Sequence, residues 1–151
     1  MQEIRIGTGR KIIEGDDIAI LTIGHVGNFA VTACESLLAK GISVAHYDMR
    51  FVKPLDEDML HEVFGRFRKV ITVEDGCLQG GFGSATLEFM ADHNYTSEVR
   101  RLGIPDRVVE HGEQPELFRE CKFDAAGIEE AVIEMLEAAA RPRRPQWPTR
   151  S

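Results

Sequence analysis

Ile18-Ala19-Ile20-Leu21-Thr22-Ile23 is a nearly unbroken apolar run that stops at Gly24. A strand with one wet face alternates polar and apolar residues. A run without alternation reads instead as a strand covered on both faces, as in parallel sheets flanked by helices. The sequence that follows keeps the same rhythm. Asn28 is placed to cap a helix to about Lys40, with Phe29, Ala33, Leu37 and Leu38 at helical spacing and Gly41 as its stop. Ser43 to Tyr47 reads as the next strand. Asp56 is a good N-cap, Glu57 and Asp58 suit the first turn of a helix, and Met59, Leu60, Val63 and Phe64 give that helix an apolar face.

Lys69 to Glu74 reads as a third strand, Phe82 to Asp92 as a helix, and Glu98 to Leu102 as a fourth strand followed by a turn, Gly103-Ile104-Pro105-Asp106. Glu116 to Glu120 is expected to form a short helix. Asp124 is expected to cap a last helix reaching Ala139, with Ile128, Val132, Met135, Leu136 and Ala139 on one stripe. Ile4 to Ile13 is expected to add a strand pair at the front. Strands and helices alternating in this way imply a parallel-rich sheet between helical layers.

The chain has 151 residues, enough for one domain with a real core, and its 43% hydrophobic and 28% charged content is that of a globular protein. No apolar run approaches the ~20 residues of a membrane helix. The start, Met1-Gln2-Glu3-Ile4-Arg5, lacks the apolar core of a signal peptide, so a cytoplasmic protein is expected. Cys34, Cys77 and Cys121 stand far apart, against a disulfide framework or a zinc site. The formal net charge is −7, and residues 141–151 hold four arginines and no acid. The remaining body is more acidic still, which argues against nucleic acid as a partner. We therefore expect one domain over residues 1–140 and a flexible Arg/Pro-rich tail over 141–151, which either binds an acidic partner or stays unstructured.

Candidate chemistry gathers in loops at the carboxyl ends of the expected strands, where sites form in open α/β sheets. Asp48-Met49-Arg50-Phe51-Val52-Lys53-Pro54-Leu55-Asp56 is one such loop. Pro54 stiffens it, so Asp48, Arg50 and Lys53 either present charge in a fixed geometry or brace the loop through each other and the backbone. The second loop holds Gly80, Gly81 and Gly83 ahead of a helix. Those glycines either bring free amides to an anion or permit close packing, and Gly81-x-Gly83-x-x-Thr86 falls one glycine short of a dinucleotide fingerprint. Glu74 ends the strand before this loop, as a site acid or as its brace. His111, in a polar turn, is a functional candidate or a surface residue. No metal-ligand spacing, nucleophile elbow or P-loop is present.

Three segments together resemble the C-terminal domain of the 1-deoxy-D-xylulose-5-phosphate synthases. They are Asp48-Met-Arg-Phe-Val-Lys-Pro-Leu-Asp56, Val73-Glu-Asp-Gly-Cys-Leu-Gln-Gly-Gly-Phe-Gly-Ser84 and Leu102-Gly-Ile-Pro-Asp-Arg-Val-Val-Glu-His-Gly112. Ile6-Gly-Thr-Gly9 and Phe123-Asp-Ala-Ala-Gly-Ile128 fit the same order, and Glu74-Asp75 departs slightly from the family's pair of glutamates. The resemblance implies an α/β fold, a three-layer α/β/α sandwich with a mostly parallel, five-stranded mixed sheet of the transketolase C-terminal type.

It also implies a whole enzyme that condenses pyruvate with glyceraldehyde 3-phosphate, with loss of carbon dioxide, on thiamine diphosphate and magnesium. The product feeds isoprenoid, thiamine and pyridoxal synthesis. The cofactor lies between two preceding domains that are not in this sequence, so no cofactor and no catalytic residue are expected on this chain. A fragment, or one subunit of a split enzyme, is the reading. The implied partners are those N-terminal and central domains and a second copy in a homodimer. Asp48, Arg50, Lys53, Glu74, Gly80, Gly81, Gly83 and His111 then become interface or loop-ordering candidates. The alternatives are a stand-alone anion or nucleotide module built on Gly80 to Ser84, or a subunit of a heteromeric thiamine enzyme.

Overall fold

In a computed structural model, the described residues are 3–104, 119 and 121–138, with the backbone alone for Cys77. The expected helix over Glu116 to Glu120, His111 and the 141–151 tail lie outside them, apart from residue 119. The elements are β1 (Arg10–Ile13), β2 (Ile18–Thr22), α1 (Gly27–Ala39), β3 (Val44–Asp48), α2 (Glu57–Arg66), β4 (Lys69–Cys77), α3 (Phe82–Asp92), β5 (Glu98–Ile104) and α4 (Ala125–Ala138).

The sheet has five strands in the order β1-β3-β2-β4-β5. All neighbours are parallel except β1, which runs antiparallel to β3. The mixed α/β sheet is therefore the one the resemblance implies. Every residue of β2 is buried, which explains its lack of alternation. Ile18 and Ile20 pack with Val26, Ala30, Leu37, Ile128, Val132 and Met135 from α1, α4 and the turn before α1. Ala19 and Leu21 pack on the opposite face with Leu60, Val63 and Phe64 of α2 and Phe82 and Phe89 of α3. Burying each of the larger apolar side chains removes it from water at a gain of roughly 1.5–3 kcal/mol, so two helical layers clamp one sheet.

Local rules account for most element ends. The Asp56 side chain accepts the Met59 amide at 3.0 Å and caps α2. Asp124 accepts the Gly127 amide at 2.9 Å at the start of α4. Gly41, with φ +82°, ends α1, and the Ile42 amide returns to the Leu37 carbonyl at 2.9 Å.

Five expectations are corrected. Asn28 does not cap α1: a 3-10 turn over Gly24–Val26 leads straight into the helix, and Val26 stands at the cap position without a side-chain bond. Leu38 is 66% exposed and lies off the buried stripe that Ala30, Ala33 and Leu37 form. Ser43 precedes β3, with its amide bonded to the Asp17 carboxylate at 2.7 Å. Residues 4–13 give one strand, β1, rather than a pair. Gly103 and Ile104 continue β5 rather than turning, because β4 itself runs on to Cys77 and pairs there with Ile104.

Candidate functional site

The chain crosses from β3 past β2 to β4, so the strand order reverses between β2 and β4. At such a switch point the connections leave in opposite directions and open a crevice at the carboxyl ends of the strands. Here Ile23, Gly24, Val52, Glu74, Asp75, Gly76, Gly81 and Phe82 line a cavity of about 320 Å³.

Glu74 is only 3% exposed. Its Oε2 accepts the Gly83 amide at 2.7 Å, so the α3 N-terminus, a natural anion site, is met by the chain's own carboxylate. Oε1 has no hydrogen-bond partner among the described residues. Burial pushes the Glu74 carboxyl above its ordinary value, while the Gly83 amide and the Arg101 charge pull the other way. Gly81 precedes the first residue of α3, and Gly80 has φ +70°. A Cβ on Gly83 would lie 2.8 Å from Thr72 Oγ1 and 3.0 Å from Arg101 Cδ, so this glycine permits close packing.

Arg101, on β5, clamps the loop. Its Nη1 donates to the Leu78 carbonyl at 3.0 Å and to Ser84 Oγ at 3.1 Å. Ser84 Oγ donates to the same carbonyl at 2.7 Å. The fit extends to Gly103, where a Cβ would stand 3.0 Å from Glu74 Cγ.

Asp48 and Arg50 lie in the neighbouring loop. Asp48 Oδ1 accepts the Arg50 amide at 3.1 Å, and Arg50 takes φ +60°, a left-handed conformation costly for a residue with a Cβ. Lys53 is exposed and lines a separate, wider cavity of about 730 Å³ with Arg5 to Thr8 and Asp56 to Asp58. The structure thus brings Glu74, Gly81 and Gly83 together, sets Asp48 and Arg50 beside each other, and leaves Lys53 apart.

Sequence reasoning missed three functional-looking groups. His46 is 1% exposed and shares a 2.8 Å hydrogen bond with Thr22 through Nε2. Its Nδ1 has no partner among the described residues, and burial lowers its pKa to about 4 against a smaller opposing effect of Asp48. His46 sits in a run, Val44 to Tyr47, whose buried character is the signal that a histidine there is interior. Asp75 pairs with His25 at 3.1 Å across the ends of the two central strands, and Arg101 lies in the expected fourth strand, Glu98 to Leu102, for which the sequence suggested no side-chain role. Among the described residues no group of three or more His, Cys, Asp or Glu could hold a metal ion, and no helix is long and apolar enough to cross a membrane.

A β1-β3-β2-β4-β5 sheet with one antiparallel edge, between helical layers, places the chain in the mixed α/β class. The family model described as Transketolase, C-terminal domain matches residues 7–128, and the chain belongs to that family. Among its relatives, a 1-deoxy-D-xylulose-5-phosphate synthase of Cytophaga hutchinsonii is 63% identical over 131 residues, covering 87% of this chain and 21% of that protein. The synthase of Parabacteroides distasonis is 52% identical over 128 residues, covering 85% and 20%. The chain thus spans about a fifth of the length of these relatives. A solved structure described as a split gene transketolase, inactive β4 tetramer, superposes with a TM-score of 0.81 at 29% identity, covering 90% of this chain and 44% of that one.

Proposed function

We propose that the chain is the C-terminal domain of a 1-deoxy-D-xylulose-5-phosphate synthase, a cytoplasmic enzyme that joins pyruvate to glyceraldehyde 3-phosphate with decarboxylation. The 63% identity to such a synthase over 87% of the chain is the observation that carries this reading. The whole enzyme uses thiamine diphosphate and magnesium and feeds isoprenoid, thiamine and pyridoxal synthesis. This domain is noncatalytic. It packs beside the cofactor-holding domains and helps build a homodimer, with the Asp48–Asp56 and Glu74–Ser84 loops ordering that interface.

The described residues do not fit the cofactor itself. The described part of the chain offers no cluster of acids and histidines for magnesium. Its one glycine-rich helix start is engaged by Glu74, which also weighs against an anion or nucleotide module there.

Isothermal calorimetry on the 151-residue chain should give no heat with thiamine diphosphate and magnesium, and pyruvate plus glyceraldehyde 3-phosphate should yield no product. Micromolar cofactor binding by the chain alone would overturn the reading. In the whole enzyme, Arg50→Ala should weaken dimerisation or activity. A subunit of a heteromeric thiamine enzyme is a second reading, favoured by the likeness to a split gene transketolase. A neighbouring reading frame that encodes the cofactor-holding domains would decide for it.

A further inference from the structure

We propose that the crevice between the ends of β2 and β4 receives a cationic head, guanidinium or ammonium, on a short apolar stem. The inference rests on the crevice alone and holds whether or not the chain comes from a synthase.

The lining carries a buried acid, one oxygen of which accepts no hydrogen bond among the described residues. Glu74 Oε2 is held by the Gly83 amide, and Oε1 has no partner among the described residues. A buried carboxylate oxygen left bare is costly, because it has lost its water without gaining a partner, and it invites a donor. Arg101 forms no hydrogen bond or ion pair with Glu74 among the described residues; its Nη1 donates to the Leu78 carbonyl and Ser84 Oγ instead. No ion pair to Glu74 forms among the described residues, and His25 faces Asp75 instead. Two consecutive acids, Glu74 and Asp75, therefore line one small cavity.

The walls select the stem. Phe82 is buried, and Ile23 and Val52 are half-buried around the same space. Gly24, Gly76 and Gly81 add lining without side chains. A cavity of about 320 Å³ lies at the small end of ligand pockets, which combine apolar walls with a few fixed polar groups. A phosphate would meet two carboxylates and a helix N-terminus whose Gly83 amide is already used. A neutral apolar group would leave Oε1 bare. A short alkyl cation satisfies both the acid and the walls.

The test is an NMR titration of the ¹⁵N-labelled 151-residue chain with butylguanidinium, using neutral butylurea as the shape control. Saturable shifts of the Ile23, Gly76 and Phe82 amides are expected, with butylurea at least tenfold weaker. Glu74→Gln, which keeps an acceptor for the Gly83 amide, should abolish the preference for the cation. Val52→Trp should block the mouth and abolish binding while the carboxylate stays, and it decides the matter if Glu74→Gln fails to fold. A parallel titration with N-acetyl-arginine methylamide separates the sources: equal binding points to an arginine carried on another segment, weaker binding to a free small cation. Equal shifts with butylurea and butylguanidinium, shifts elsewhere on the chain only, or undiminished binding to Val52→Trp would each overturn the proposal.

Discussion

Two loops leave the same edge of the sheet and are held in opposite ways. The Glu74–Ser84 loop is fastened from inside, by a buried carboxylate on a helix amide and by Arg101 reaching over from β5. The Asp48–Asp56 loop is fastened at its two ends, by Asp48 on the Arg50 amide and by Asp56 on α2. Its cation Lys53 stays in water. The first loop has little slack and shapes a cavity. The second offers charge on an exposed surface. Similar residue types, acids and bases near glycine or proline, thus serve enclosure in one place and presentation in the other.

If this contrast is right, Gly83→Val should be the most damaging change. Its side chain would be driven into Thr72 and Arg101, and a loss of about 3 kcal/mol or more is expected in urea unfolding. A loss under about 1 kcal/mol would mean the inner loop yields.

Next comes acid. His46 titrates at 6.5 when unfolded and at about 4 in the fold, so the unfolded chain takes up the proton first. The stability from its neutral form is whole above pH 6.5 and is lost as pH falls towards 4, up to about 3 kcal/mol. His46→Gln should flatten that part of the stability–pH curve. Glu74 acts with the opposite sign, because its raised pKa favours the fold when it is protonated and costs stability as pH rises. Glu74→Gln should remove this second slope.

Asp56→Ala probes the outer loop. It uncaps α2 and should cost about 1–2 kcal/mol. Gly80→Ala should cost about 1 kcal/mol, from its φ of +70° alone, since nothing lies within 4 Å of the added methyl. Smallest of all, Arg50→Gly should leave stability unchanged or raise it by about 1 kcal/mol or less, because glycine accepts φ +60° without strain. A clear loss would show that the Arg50 side chain braces the loop, and the contrast between the two loops would narrow.

Where a local rule decides, the fold could be read in advance. The α3 bounds, Phe82–Asp92, match the reading from the glycine break before it. The α2 cap at Asp56 followed from side-chain chemistry. Where partners decide, it could not. The extension of β4 through Asp75 and Gly76 has no strand-like composition and exists because Ile104 pairs with Cys77. The antiparallel β1 is a short edge of mostly half-buried residues opposite β3, and only the resemblance implied a mixed sheet. In the crevice, Glu74 was legible as an acid near the site, but not at the strand end expected of it, since β4 runs on to Cys77; its unshared oxygen depends on tertiary placement that no spacing encodes.

Asp56 has one more tie. While Oδ1 caps α2, Oδ2 accepts the Gly9 amide at 2.8 Å, from 47 positions away. One side chain therefore tethers the lead-in of the chain to the first turn of a helix on the sheet's face. A pull on residues 5–9 from whatever precedes them would be transmitted to that turn, so strain at the front door would be felt at α2 before the core gave way.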